Sequence, residues 1–137
     1  MIKRIYIPGI PDIKMRPRAT RNGRMYDPNA QAKEASIQKA QMSNEAVLTG
    51  ALIVDMLFEF PRPAGHFGTG KNAGTLKSSA PVYCCNTKDL DNIAKFYCDS
   101  FNCIAYEDDR QIVSLTCHKK WTSGVPGVKI TITQLEE

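Results

Sequence analysis

The chain has 137 residues, 42% hydrophobic and 23% charged, with 9 Gly and 8 Pro. That length encloses one core rather than two, and the mixture excludes disordered, collagenous and disulfide-framework chains. Eighteen Lys plus Arg against 14 Asp plus Glu leave a formal charge of +4, too mild by itself to identify a polyanion binder.

The distribution of charge says more than its sum. Before residue 34 lie Lys3, Arg4, Lys14, Arg16, Arg18, Arg21, Arg24 and Lys33, opposed only by Asp12 and Asp27, so a basic surface patch is expected there. The longest apolar stretch, residues 51–60, is interrupted by Asp55 and Glu59. It is too short to cross a bilayer, and charges stand at the N-terminus where a signal peptide has its apolar centre. A soluble, cytoplasmic protein with no membrane partner is the expectation. Cys84, Cys85, Cys98, Cys103 and Cys117 are odd in number, and none has the two-residue spacing of zinc ribbons or redox motifs, so they read as reduced thiols.

In chain order, residues 3–7 alternate Ile5 and Ile7 with polar neighbours and meet Pro8-Gly9, which predicts a strand and a turn. Residues 14–24 form a basic loop stiffened by Pro17 and turned at Asn22-Gly23. Residues 29–48 lack Gly and Pro and carry a rough apolar stripe of Ala35, Ile37, Ala40, Ala46, Val47 and Leu48, predicting the first helix. Gly50 ends it, and residues 51–60 have the β-branched and aromatic content of a buried strand stopped by Pro61.

Residues 61–81, rich in Gly, Pro, Ser and Lys, are long for an internal connection and read as a substrate-contacting or mobile loop. Gly65 to Asn72 nearly spells a phosphate-binding P-loop. Asn72, however, replaces the hydroxyl that holds magnesium, and no periodic helix follows Lys71. A second helical pattern begins near Asn92, with Ile93, Phe96, Tyr97, Ser100 and Phe101 on one face, and residues 111–117 and 128–132 read as closing strands. The sum is one α+β domain over residues 1–137, a mixed sheet with two main helices.

Chemistry concentrates in Asp89, Asp91, Asp99, Asp108 and Asp109. An extended segment from Asp89 places both its carboxylates on one side, with Asp91 as N-cap of the helix from Asn92. Asp91, Lys95 and Asp99 then follow at intervals of four on a stripe away from the apolar face. A return of the chain after this helix brings Asp108 and Asp109 alongside. Converging carboxylates raise one another's pKa and call for a cation, and oxygen donors favour magnesium or manganese. Spacing alone equally accommodates a bland alternative, in which these residues are turn and cap residues on a solvated corner.

The string Asp89-Leu-Asp91-Asn92-Ile-Ala-Lys95, followed by Asp99-Ser-Phe-Asn102-Cys103 and then Glu107-Asp108-Asp109-Arg-Gln111, resembles the RusA family of Holliday junction resolvases. Lys14-Met-Arg16-Pro17-Arg18, Gly23-Arg-Met-Tyr26-Asp-Pro28 and Pro126-Gly127-Val128-Lys129-Ile130 are similar to that family's basic signature and closing strand. The resemblance implies a magnesium-dependent, homodimeric α+β endonuclease that cuts four-way DNA junctions in the cytoplasm of a bacterial or phage-infected cell, Mn²⁺ being a substitute ion. Carried over by motif position, Asp89, Asp91 and Asp109 are implied as metal-binding and catalytic carboxylates, with Asp108 beside them and Lys95 as the active-site lysine. Arg16, Arg18, Arg21, Arg24, Lys71, Lys119 and Lys120 are the expected DNA-binding cations. Two positions depart from the pattern. Lys88 stands where Pro is common, and Cys103 where Gly is usual, in the turn that delivers Asp109. A non-catalytic branched-DNA binder and a nucleotide-dependent enzyme using Lys71 are the competing classes.

Overall fold

Alternation of apolar and polar residues builds three strands with one buried face each. In β1 (Ile2–Pro8) it is Lys3, Ile5 and Ile7 that point inward; in β5 (Leu52–Pro61) Leu52, Val54, Met56, Phe58 and Phe60; in β7 (Gly127–Gln134) Val128, Ile130 and Ile132. The period of two puts each set on a single side of the sheet. The structure is a computed structural model that describes residues 1–14 and 18–136, with the backbone alone for Arg18.

β7 lies between β1 and β5, antiparallel to both. The sheet is completed by β4 (Gln41–Met42) beside β1 and β6 (Ile112–Thr122) beside β5, in the order β4-β1-β7-β5-β6. Among the paired strands of the described residues β5 and β6 run parallel, which requires a long crossover between them. Helices α1 (Ala30–Lys39) and α2 (Leu90–Ser100) cover the buried face, and a two-residue ribbon, β2 (Arg18–Ala19) with β3 (Met25–Tyr26), stands apart. The expected α+β domain with a mixed sheet and two helices is what the chain forms.

The first helix is half the predicted length. It stops at Lys39, because Ala40 turns extended and the following residues pair with the open edge of β1: Met42 lies opposite Ile5. Ser43 N–H donates to Arg4 O, Arg4 N–H donates to Ser43 Oγ, and the buried Lys3 ammonium donates to Asn44 O and Ala46 O at 2.9 and 2.7 Å. Sheet pairing and two charge-assisted bonds outweigh the helical propensity of residues 41–48. Within α1 the buried residue is Ser36 and Ala35 is exposed, so the predicted stripe is also displaced.

α2 starts earlier than predicted. Asp89, not Asp91, occupies the N-cap position, and Asp91 sits in the first turn; the Asp89 side chain makes no capping bond. Its buried face, including Ile93, Phe96 and Tyr97, meets the sheet, where Tyr97 stacks on Phe58 at 5.8 Å between centroids. Tyr106 O–H donates to Cys98 O at 2.6 Å and fastens the outgoing turn to the helix.

The connection of residues 61–81 is ordered by its own backbone. Gly68 N–H donates to Thr75 O and Lys77 N–H to His66 O, both at 2.9 Å, making a small hairpin with Lys71 near its tip. Gly70–Asn72 is a single 3-10 turn with no α-helix behind it, so the helix terminus a P-loop requires is not there.

Cys103, at the position where a glycine is usual, has φ +67°. Its N–H donates to Tyr106 O at 2.7 Å, so the turn keeps its form and the side chain bears the steric penalty of left-handed backbone. Cys103→Gly is therefore expected to stabilise the protein by about 1 kcal/mol, raising the melting temperature by roughly 2–4 °C. Cys103→Ala gives no such gain in a calorimetric melt.

Candidate active site

A groove runs between α2 and the outer edge of the sheet. β6 is an edge strand, and its register with β5 slips between the pairs Leu52–Ile112 and Ile53–Ser114, leaving Val113 unopposed. Such a bulge bends an edge and re-aims its side chains. Val113 and Leu115, 64% and 45% exposed, form one wall.

One part of the groove is a cavity of about 430 Å³ lined by Lys14, Asp91, Lys95, Cys98 and Asp109, among others. The adjoining hollow, of about 620 Å³, shares Asp91, Ala94 and Leu115 with it and adds Asp89, Cys117 and Lys119. Of the carboxylates expected from the sequence, Asp89, Asp91 and Asp109 thus lie along one groove, with Asp91 common to both parts, whereas Asp108 and Asp99 do not line it. The three are not gathered at a point: among the described residues, no three His, Cys, Asp or Glu side chains are close enough to hold a metal ion.

Each carboxylate is delivered differently. Asp91, its side chain 72% exposed, is loosely paired with Lys95 at 3.8 Å. Asp109 is held from behind, its N–H donating to Asn102 Oδ1 at 2.8 Å. Asp108 caps the 3-10 turn of Asp109–Gln111, its Oδ1 accepting Arg110 N–H at 2.9 Å. Gln111 completes the capping box: its Oε1 accepts the N–H groups of Glu107 and Asp108, and its Nε2 donates to Leu48 O and Gly50 O. Asp99 does not face this cavity. Its Oδ2 accepts the ammonium groups of Lys14 and Lys33 at 2.8 and 2.9 Å.

Electrostatics separates these groups. Burial pushes the Asp109 carboxyl above its ordinary value, and the hydrogen bond and charge of Asp108 add to this, with Lys14 opposing. The Arg110 backbone N–H holds Asp108 below the usual range. Burial alone would raise Asp99 as well, but the hydrogen bonds from Lys14 and Lys33 outweigh it and keep that carboxyl low. Cys98 is driven up to about 12 by burial and by neighbouring Asp109, so its thiol is a neutral part of the wall.

Of the expected DNA-binding cations, Lys119 reaches the groove, beside Asp89, with Nζ donating to Lys88 O at 2.9 Å. Lys120 alternates to the other face of β6. Arg21 and Arg24 are exposed around the β2–β3 turn and Lys71 on the hairpin, outside the groove. Arg16 and the side chain of Arg18 lie outside the described residues. Sequence reasoning passed over Lys14, Asn102 and Gln111 as site residues. The latter two stand in the acidic string itself, where an amide spaced from Asp109 was the available signal.

The profile of the family described as endodeoxyribonuclease RusA matches residues 8–133. The chain belongs to the RusA family. This RusA-family protein is accordingly an enzyme that hydrolyses DNA, of a family that resolves Holliday junctions and acts on branched DNA. Nuclease chemistry of this family points to a divalent metal cofactor. No match is found among curated proteins. Among the described residues, no helix is long and apolar enough to cross a membrane.

The raised Asp109 pKa has a definite sign. A carboxyl raised in the folded state contributes stability that is complete below its unfolded pKa of about 3.9 and is lost as pH rises through the folded value. In metal-free buffer, Asp109→Asn should therefore melt higher than the parent at pH 7, with the advantage vanishing below about pH 4. Thermal melts across this range in chelator are the measurement.

Proposed function

We propose that this RusA-family enzyme resolves Holliday junctions and related branched DNA by paired, Mg²⁺-dependent phosphodiester hydrolysis, with Mn²⁺ as a substitute. The observation that carries the reading is the shared groove of Asp89, Asp91 and Asp109, drawn from two separate elements and edged by lysines. Oxygen donors and a carboxyl raised by burial suit a hard divalent cation, and binding one must draw these side chains closer than they stand. Asp91 and Asp109 would hold the ion with Asp89 completing the set, while Asp108, committed to its cap through Oδ1, would act on it through Asp109. When bound, the ion supplies Lewis-acid stabilisation of charge on the scissile phosphate and activates water.

The chain's own residues do the rest. Lys95, paired with Asp91, would offer positive charge to the leaving oxygen. Lys119 flanks the groove, and Arg21, Arg24, Lys71 and Lys120, outside it, grip phosphates farther out, positioning DNA without reading bases, with Arg16 and Arg18 as further phosphate-binding cations. One domain has one such groove, whereas resolving a four-way junction takes two cuts. A two-fold homodimer repeats the site about an axis that the junction shares.

A labelled synthetic four-way junction, incubated with and without Mg²⁺, tests this. The parent should make paired cuts only with metal, while Asp91→Asn and Asp109→Asn should lose about 100-fold or more in rate and still bind the junction. Unchanged cutting by both variants would reject the ligand assignment, and equal cutting of plain duplex would reject the branched substrate.

A further inference from the structure

Lys14 is fixed through both its backbone and its side chain. Its backbone N–H donates to Asn92 O at 3.0 Å, which seats it against the first turn of α2, one residue beyond Asp91. Its side chain lines the same cavity as Asp91, Lys95 and Asp109. Its ammonium donates to Asp99 Oδ2 at 2.8 Å, and that oxygen is shared with Lys33, which is itself also held by Asp27 at 2.7 Å. One carboxylate therefore locates the Lys14 ammonium without neutralising it alone. An ammonium has three donors, and the bond to Asp99 commits one.

Lys95, the lysine the family pattern singles out, is held less firmly. Its side chain is 64% exposed and 3.8 Å from its partner, whereas Lys14 is 37% exposed at 2.8 Å from a carboxylate that is itself only 27% exposed. A DNA phosphate entering a cavity that contains Asp91 and Asp109 meets like charge, and a fixed cation on the wall offsets that repulsion. Pre-set charge costs no reorganisation when the substrate arrives.

We propose that Lys14 contacts the DNA phosphate inside the active cavity and that Asp99 is its positioning residue. This rests on the nuclease reading above and extends it, since Lys14 is not among the cations expected from the sequence to bind DNA. Asp99 has a second tie in the same direction: Asn102 Nδ2 donates to Asp99 Oδ1 at 3.5 Å, while Asn102 Oδ1 holds Asp109 N–H. The Lys14 cation and the Asp109 carboxylate are thus registered to one another through two side chains.

The test compares the parent with Lys14→Met, Lys14→Arg and Asp99→Asn. Junction binding is measured against salt in chelator, where no cleavage intervenes, and kcat and KM are measured in Mg²⁺. Losing a phosphate contact lowers the slope of log K against log salt by about 1. Lys14→Met should show that decrease and at least about a tenfold loss in kcat/KM, Lys14→Arg should restore the slope, and Asp99→Asn should keep the slope while lowering kcat. Should Lys14→Met fail to fold, Lys14→Gln removes the same charge while keeping a donor for Asp99. Folded variants with the parental slope and kcat/KM would overturn the proposal and leave Lys14 as a pin for the N-terminal loop. A parent that neither binds nor cuts the junction would instead bring down the nuclease reading itself.

Discussion

The side-chain amide of Gln111 commits both its ends to backbone, and the position of Asp109 depends on it. Through Oε1 it receives the N–H groups of Glu107 and Asp108; through Nε2 it reaches Leu48 O and Gly50 O, just before β5. The turn after α2 is thereby tied to the residues that lead into β5, at the end of the parallel pair where β6 also begins. Backbone groups left without partners in such a place carry a substantial penalty, so the amide both satisfies the turn and fixes its direction. With Asn102 holding Asp109 from the helix side, the carboxylate is located from two directions.

That placement creates an electrostatic problem which the neighbouring residues divide among themselves. Asp108 keeps its charge by capping, Asp109 is raised by burial and by Asp108, and Asp99 is kept ionised by two lysines. Adjacent acids with opposed shifts are a common arrangement at functional sites. The groove that contains Asp109 opens at a sheet edge, where β6 is the outermost strand and Val113 and Leu115 are exposed to a large substrate.

Much of this was legible in the residues. Alternation in residues 3–7, 51–60 and 128–132 marked three central strands, and the apolar face of Ile93, Phe96 and Tyr97 marked α2. The acidic string identified the groove because its members are close in sequence to one helix and one turn. What was not legible depended on partners far along the chain. Residues 41–48 have helical composition, but the edge of β1 and the Lys3 ammonium recruit them into extended chain. Asp91 looks like a cap until the backbone places Asp89 there instead. Lys14 belongs to a basic run whose charge pattern suggests a surface patch, and only the docking of its N–H on α2 brings it into the cavity. Cys103 departs from the expected glycine, yet the turn is preserved, because the hydrogen bond to Tyr106 O compensates for the backbone conformation it must adopt.

The parallel pairing of β5 and β6 has a further implication for how the site comes into being. Asp89, Asp91 and Asp109 all belong to the crossover that joins those two strands, and Gln111 closes it immediately before β6. Parallel partners so far apart in sequence must overcome a large loop-closure entropy before any pairing rewards it. Without β6 in place the groove lacks one wall, so hydrolytic competence depends on that long-range pairing and not on the helix alone.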